Sequence, residues 1–274
     1  MMYTCTPRAH PHATLADMAK AASRKIIKRT TGAKKSLAVD LHCHVHVPEA
    51  DAIAKQTVLP APDPVVQHGS QRSADRQKEQ WQQIHHKATS TEARLAEMNK
   101  MGIDVQAIST SPSHYNYRIE PELGRQSSRV VNERLAEIVA SHPDRFVALG
   151  TVPMQEPAFA VAELEHCMKK LGFRGLELGT NVGKTELADP KYEKFWAKVQ
   201  ELGAVVFLHP GGFTDTSRLK EHFLTNVIGN PLDTTVALAH IVYGGILERY
   251  PKIKFVAAHG GGYMGHYPAR MDHA

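Results

Sequence analysis

Cysteine is scarce in this chain: Cys5, Cys43 and Cys167 are the only three in 274 residues. Three scattered thiols cannot build a disulfide framework, which excludes the small disulfide-stapled secreted class and fits a reducing cytoplasm. Long apolar runs are lacking too. The longest are strand-sized, well short of the ~20 residues a membrane-spanning helix needs, so no membrane span is expected. The body also lacks charge of one sign. The net charge of +5 is carried by residues 1–35, where eight Lys/Arg face the single acid Asp17, leaving 25 bases and 27 acids for residues 36–274. That balance removes the electrostatic reason to expect nucleic acid on the folded body. The tail reads as a basic, solvated N-terminal extension, although a transit peptide or membrane-surface helix has a similar composition.

A repeating pattern begins at residue 36. Apolar strand-like runs stand at SLAVDLHCH (36–44), DVQAIST (104–110), RFVALGTVP (145–153), FRGLELGT (173–180), AVVFLHP (204–210) and IKFVAAHG (253–260). Helically spaced segments such as SSRVVNERLAEIVASHPDR and PKYEKFWAKVQELG lie between them, several ending in Gly or running into Pro. Strands and helices that alternate, with continuous apolar strands, predict an α/β domain over 36–274 built on a parallel sheet covered by helices. Residues 47–92 break the pattern. They are rich in Gln, His, Pro and charge, and read as a lid or insertion loop rising beside the end of the first strand. His68, His85 and His86 in that stretch read as surface residues.

The strand ends carry the chemistry. His42 and His44 end the first run, His209 the fifth and His259 the sixth. A lone histidine on an apolar strand is usually a hydrogen-bonded core residue, but carboxyl ends of parallel strands share one rim, where sites are built. Four imidazoles on that rim predict a site for a divalent transition metal. Alternation along a strand puts His42 and His44 on one face and turns Cys43 the other way, as a small buried hydrophobe. His46 shares their parity but stands just before Pro48, and is expected to support the site from outside at most. Gly260, Gly261 and Gly262 after His259 would let the backbone turn sharply, approach a ligand and offer N–H groups to an anion.

These pieces together resemble the amidohydrolase superfamily, within it the branch of 2-amino-3-carboxymuconate-6-semialdehyde decarboxylase and related non-oxidative decarboxylases. The resemblance rests on DLHCH at 40–44, SPSHYNY at 111–117, RFVALGTVPMQEP at 145–157, GFRGLELGT at 172–180, VVFLHPGG at 205–212 and the HGGG-containing segment at 247–273. It implies a (β/α)8 TIM barrel of the metal-dependent hydrolase type with one catalytic divalent metal, Zn2+ first and Mn2+ second. It implies His42, His44 and His209 as metal ligands and His259 as the catalytic histidine. The fourth strand has no lysine, which favours a single ion. The family's remaining ligand and proton donor is an aspartate ending strand eight, whereas only six strands are expected here. The last two strands are thus expected to be absent, and Asp272, in a flanking helical segment, is no substitute.

The function implied is metal-dependent loss of carbon dioxide from an unsaturated or aromatic carboxylic acid, a carbon–carbon lyase with a small-molecule carboxylate substrate and no nucleic-acid or membrane partner. The tyrosines of SPSHYNY are candidates to stack on a flat substrate. A homodimer is compatible with the sequence. Two alternatives stay open: a metal-dependent hydrolase or hydratase of an aromatic ring-cleavage product, and an inactive truncated barrel serving as an interaction module.

Overall fold

The computed structural model describes residues 36–57, 69–212 and 217–273; the basic tail and His68 lie outside them. Six strands, β1 (Val39–Val45), β2 (Val105–Thr110), β3 (Phe146–Gly150), β4 (Gly175–Leu178), β5 (Val205–Leu208) and β6 (Lys254–Ala257), form one sheet in chain order. Every neighbouring pair is parallel. All six apolar runs of the sequence supply one strand each. Parallel neighbours need crossovers, and the helices provide them.

Between β1 and β2 lie α1 (Pro48–Ala54), α2 (Gln71–Thr89) and α3 (Thr91–Met101). Helices then follow the later strands: α4 (Pro121–Ser141), α5 (Pro157–Lys169), α6 (Glu193–Leu202), α7 (Asn230–Tyr243) with the short α8 (Ile246–Arg249), and α9 (Pro268–Met271) after β6. Local chemistry sets their ends. Glu120 caps α4 by accepting the N–H groups of Glu122 and Leu123 ahead of Pro121. Gly203, at φ 64°, closes α6. Each helix buries one stripe, as α6 does with Phe195, Trp196 and Val199.

The stretch 47–92, expected as a loop, is instead helical over α1 and α2. Along its 19 residues α2 buries only Ser73. Its few apolar residues, Ala74, Trp81, Ile84 and Ala88, fall at helical spacing, but they stand among polar and charged ones, and Trp81 and Ile84 stay exposed. The helix starts where Ser70 accepts the N–H of Ser73.

The sheet is curled. Laid flat, six strands at ~4.8 Å spacing would separate β1 from β6 by ~24 Å. The rings of His42, on β1, and His259, just past β6, are 5.5 Å apart. Curling gives two cores. Outside, Ile108, Phe146, Leu176, Val206 and Leu208 meet helix residues such as Leu135, Leu164 and Trp196. Inside, Ala107, Leu149, Phe207 and Ala258 form a small layer below the rim. Among the described residues β1 and β6 each pair on one side only, and Leu37, Val39 and Leu41 beside the β1 edge are exposed.

Candidate metal centre

Alternation along β1 operates as expected in its last turns. Cys43 and Val45 enter the outer core, with the Cys43 thiol 3.3 Å from the Ala107 carbonyl. His42 and His44 face the concave side, their ring centroids 5.1 Å apart. His209 ends β5 with its ring 4.9 Å from His42 and 4.6 Å from His44. His259 completes the group at 5.0 Å from His209. Its placement is not simple alternation. Val256 and Ala258 belong to the inner layer, so strict parity would turn residue 259 outward. A left-handed backbone, φ 54°, re-aims it. That conformation is uncommon for a residue with a Cβ and collects at functional sites.

The triple glycine supports the turn in one of the two ways expected. A Cβ at Gly262 would collide with the Pro231 carbonyl and the Thr235 hydroxyl, so the close approach requires glycine. The N–H groups are not offered to an anion, however. Those of Gly261 and Gly262 close onto the carbonyls of Ala258 and His259 at 3.0 and 3.1 Å.

Hydrogen bonds fix two of the rings. His44 Nδ1 donates to the Thr110 carbonyl at 2.8 Å, and His209 Nδ1 to the Pro210 carbonyl at 2.9 Å. A carbonyl only accepts, so each Nδ1 carries a proton and each Nε2 is the ring atom left to face an ion, the usual orientation of a ligand. Burial, then the neighbouring His44, His42 and His259, pushes His209 down to about 2. Burial followed by nearby imidazoles also lowers His42 and His259. At His44 burial acts downward as the largest influence, yet the Glu177 carboxylate and the Thr110 carbonyl together raise it.

Glu177 is the residue that reading the sequence missed. It is fully buried on β4, with Oε2 3.3 Å from His44 Nδ1. Because that Nδ1–H is directed at Thr110, Oε2 has no hydrogen-bond partner of its own. Oε1 accepts from the Tyr115 hydroxyl at 2.5 Å. A signal existed: Leu176 and Leu178 pack outward, so alternation turns the lone charged residue between them inward. The tyrosine expectation is corrected. Tyr115 is buried and stacks on Tyr117 at 5.5 Å and 16°, and its hydroxyl also donates to the His209 carbonyl at 3.0 Å. Tyr115 thus braces the site from behind, its hydroxyl on Glu177 and its ring on Tyr117.

His46 leaves the group. Its ring lies 4.6 Å from His114 and 4.8 Å from Trp81, and Asp51 Oδ2 is 3.1 Å from its Nε2. His85 and His86 are exposed on α2.

A divalent ion fits the donors at the mouth. Donor atoms gather within 4.8 Å in two overlapping groups, His42–His209–His259 and His44–Glu177–His209. The expected trio His42, His44 and His209 is not itself one of these groups: His42 and His44 fall in different ones, and His209 belongs to both. The Nε2 atoms of His44 and His209, the buried unpartnered Nδ1 of His259 and the buried Glu177 oxygen without a hydrogen-bond partner make a donor set that a cation satisfies.

This arrangement has relatives. A 2-amino-3-carboxymuconate-6-semialdehyde decarboxylase from Dictyostelium discoideum is 32% identical over 182 residues, which cover 66% of this chain and 51% of the relative. The chain thus spans about half that relative's length. Among solved structures, 5-carboxyvanillate decarboxylase from Sphingomonas paucimobilis superposes with a TM-score of 0.75 at 22% identity, covering 87% of this chain and 72% of that one. A dihydroxybenzoic acid decarboxylase from Polaromonas, solved with manganese and 2-nitroresorcinol, gives 0.71 at 23%, covering 86% and 69%. These likenesses show the TIM-barrel fold. The amidohydrolase family model matches residues 39–274, from the first strand through the last described helix, and the chain belongs to that family.

Proposed function

We propose that this chain carries the metal-binding mouth of a divalent-metal-dependent non-oxidative decarboxylase, a carboxy-lyase acting on a small planar aromatic or unsaturated carboxylic acid. The observation that carries the reading is the meeting of four imidazoles from β1, β5 and the turn after β6, with centroids no more than 5.5 Å apart in the measured contacts. The relatives named above act on carboxylates of that kind.

In this reading His42, His44 and His209 hold the ion, Zn2+ first because imidazole suits it and Mn2+ second because Glu177 adds a hard oxygen nearby. When bound, the ion supplies positive charge that anchors the substrate carboxylate and its neighbouring oxygen. The other tasks belong to side chains. Thr110 and Pro210 hold the Nε2 atoms of His44 and His209 toward the mouth through their carbonyls. Tyr115 holds Glu177, and burial pushes its phenol well above the ordinary value, so it remains a donor. His259, lowered by burial, is neutral at pH 7 and takes the role of base at its imidazole. The inner layer of Phe207 and Ala258 keeps water from beneath the site.

The buried free thiols Cys43 and Cys167 support a reducing, cytoplasmic setting. No described helix is long and apolar enough to cross a membrane. Residues 36–274 form the barrel body in this reading and residues 1–35 the extension.

Product analysis tests the proposal. A protein that carries these residues together with the strand-eight aspartate implied by the resemblance, loaded with Zn2+ or Mn2+ and given hydroxylated aromatic carboxylates, is expected to release carbon dioxide and leave the decarboxylated ring. Gain of water without loss of carbon dioxide, or turnover untouched by His42→Ala with His44→Ala, would overturn it.

A further inference from the structure

Beside the mouth, on the outer side of the β1 end, lies a second cluster of metal-ligating side chains. We propose that His46, Asp51 and His114 form a separate binding site for a divalent transition cation of the zinc group.

Three consecutive pieces of the rim supply the three residues. His46 follows β1, Asp51 lies on α1, and His114 ends the 3-10 turn Pro112–His114 after β2. Their ligand atoms all lie within 4.8 Å of one another. Asp51 places one carboxylate oxygen 3.1 Å from His46 Nε2 and the other 3.1 Å from His114 Nε2. Two adjacent ligands on a tetrahedral zinc, at ~2.0–2.1 Å each, are ~3.4 Å apart. In the ion-free structure the His114–Asp51 contact is a hydrogen bond at 3.1 Å, so an ion would replace the shared proton between donors already gathered near ligand spacing.

The backbone around them is anchored. The His46 N–H donates to the Ala88 carbonyl at 2.9 Å and the His114 N–H to Ser111 at 2.8 Å. The His114 side chain is wholly buried and that of His46 nearly so, at 12% exposure, while Asp51 is about one-third open. An entry path thus exists on the carboxylate side. Trp81 covers His46 edge-on, and His85 lies behind it, its ring 6.3 Å from His46.

The charge balance points the same way. A negative oxygen facing imidazole nitrogens is what a cation completes. Two imidazoles and one carboxylate leave positions for water, the donor set of a zinc-type site rather than of calcium or magnesium. Bound there, the ion ties α1 and the turn after β2 to the end of β1, next to His44 but independent of what the mouth binds.

Trp81 offers a local reporter, since Co2+ held by His46 quenches its emission. Chelator-treated full-length protein is titrated with Co2+ while tryptophan emission is followed. Quenching should persist when His42 and His209 are replaced by Ala and disappear in Trp81→Phe. It should need more than about tenfold more Co2+ in Asp51→Asn, and Zn2+ added first should block it. Asp51→Asn keeps the side-chain shape at a partly open position, so the test does not depend on the buried His114→Ala folding. Equal titration of Asp51→Asn and the unmodified protein would overturn the second site. So would quenching that vanishes with the mouth variants. Neither result bears on the decarboxylase reading, which is tested at the mouth.

Discussion

Two histidine clusters hang from one strand end and share a parity, yet they have different fates. His42 and His44 lie within β1 and point into the curl. His46 lies one step past the last β1–β2 pair, Val45 with Thr110. Its N–H turns to Ala88 in α2, so its ring meets Asp51, His114 and Trp81 instead of His209. The lesson is that alternation predicts orientation only as long as the ladder continues. At the other side of the mouth His259 makes the converse point, reaching the site by a left-handed turn after its strand has ended.

The sharpest way to break this contrast is at His209, the residue common to both donor groups at the mouth. His209→Ala should weaken metal binding there beyond the ~10–100-fold that loss of an outer partner costs, and leave the His46 cluster untouched. Calorimetric titration of the chelator-treated protein with Zn2+ reads this, and a parallel loss at both clusters would erase the distinction.

Glu177→Gln comes next. It preserves shape while removing the charge behind His44, so binding at the mouth should fall ~10–100-fold. Weakening the buried Tyr115–Glu177 bond should cost about 1–3 kcal/mol in urea unfolding. Unchanged affinity would mean that the carboxylate serves only Tyr115.

Acid sharpens the comparison further. His209 and His114 start from the ordinary value of 6.5 and are lowered in the fold to about 2 and about 4, by burial first and then by neighbouring imidazoles. The unfolded chain therefore takes up protons that the folded one refuses. The stability these groups preserve is complete above about pH 6.5 and falls with pH, by about 1.4 kcal/mol per unit for each imidazole. Near pH 4 His114 protonates in the folded state and its share levels off, while that of His209 continues. Unfolding midpoints of the chelator-treated protein between pH 7 and 4.5 should show this slope, reduced by one proton in His209→Gln. An equal slope in that variant would remove His209 from the account.

The smallest effect is expected on α2. His86→Ala, at an exposed position, should change stability by no more than about 0.5 kcal/mol and neither metal titration. A larger change would draw α2 into one of the clusters.

Much of this was legible before any coordinates. Each of the six apolar runs became a strand, because a strand buried on both faces must be apolar at successive positions. The gathering of His42, His44, His209 and His259 followed from their positions at strand ends. Glu177 was legible too, by the same alternation that sorted Cys43 from its neighbours, but only once β4 had been assigned an inner face. The helix over residues 71–89 was faint, since only Ala74, Trp81, Ile84 and Ala88 carry its helical spacing and the rest of the stretch is polar or charged.

The sequence by itself thus determined the six strands, their parallel direction and which imidazoles share a rim, because those depend on local periodicity and on the direction of the chain. The tertiary structure alone decided that Tyr115 braces Glu177, that the HGGG amides close on themselves, and that His46 joins Asp51 and His114. Those outcomes depend on contacts between residues tens of positions apart, formed where the ladder stops, and no repeating pattern along the chain records them.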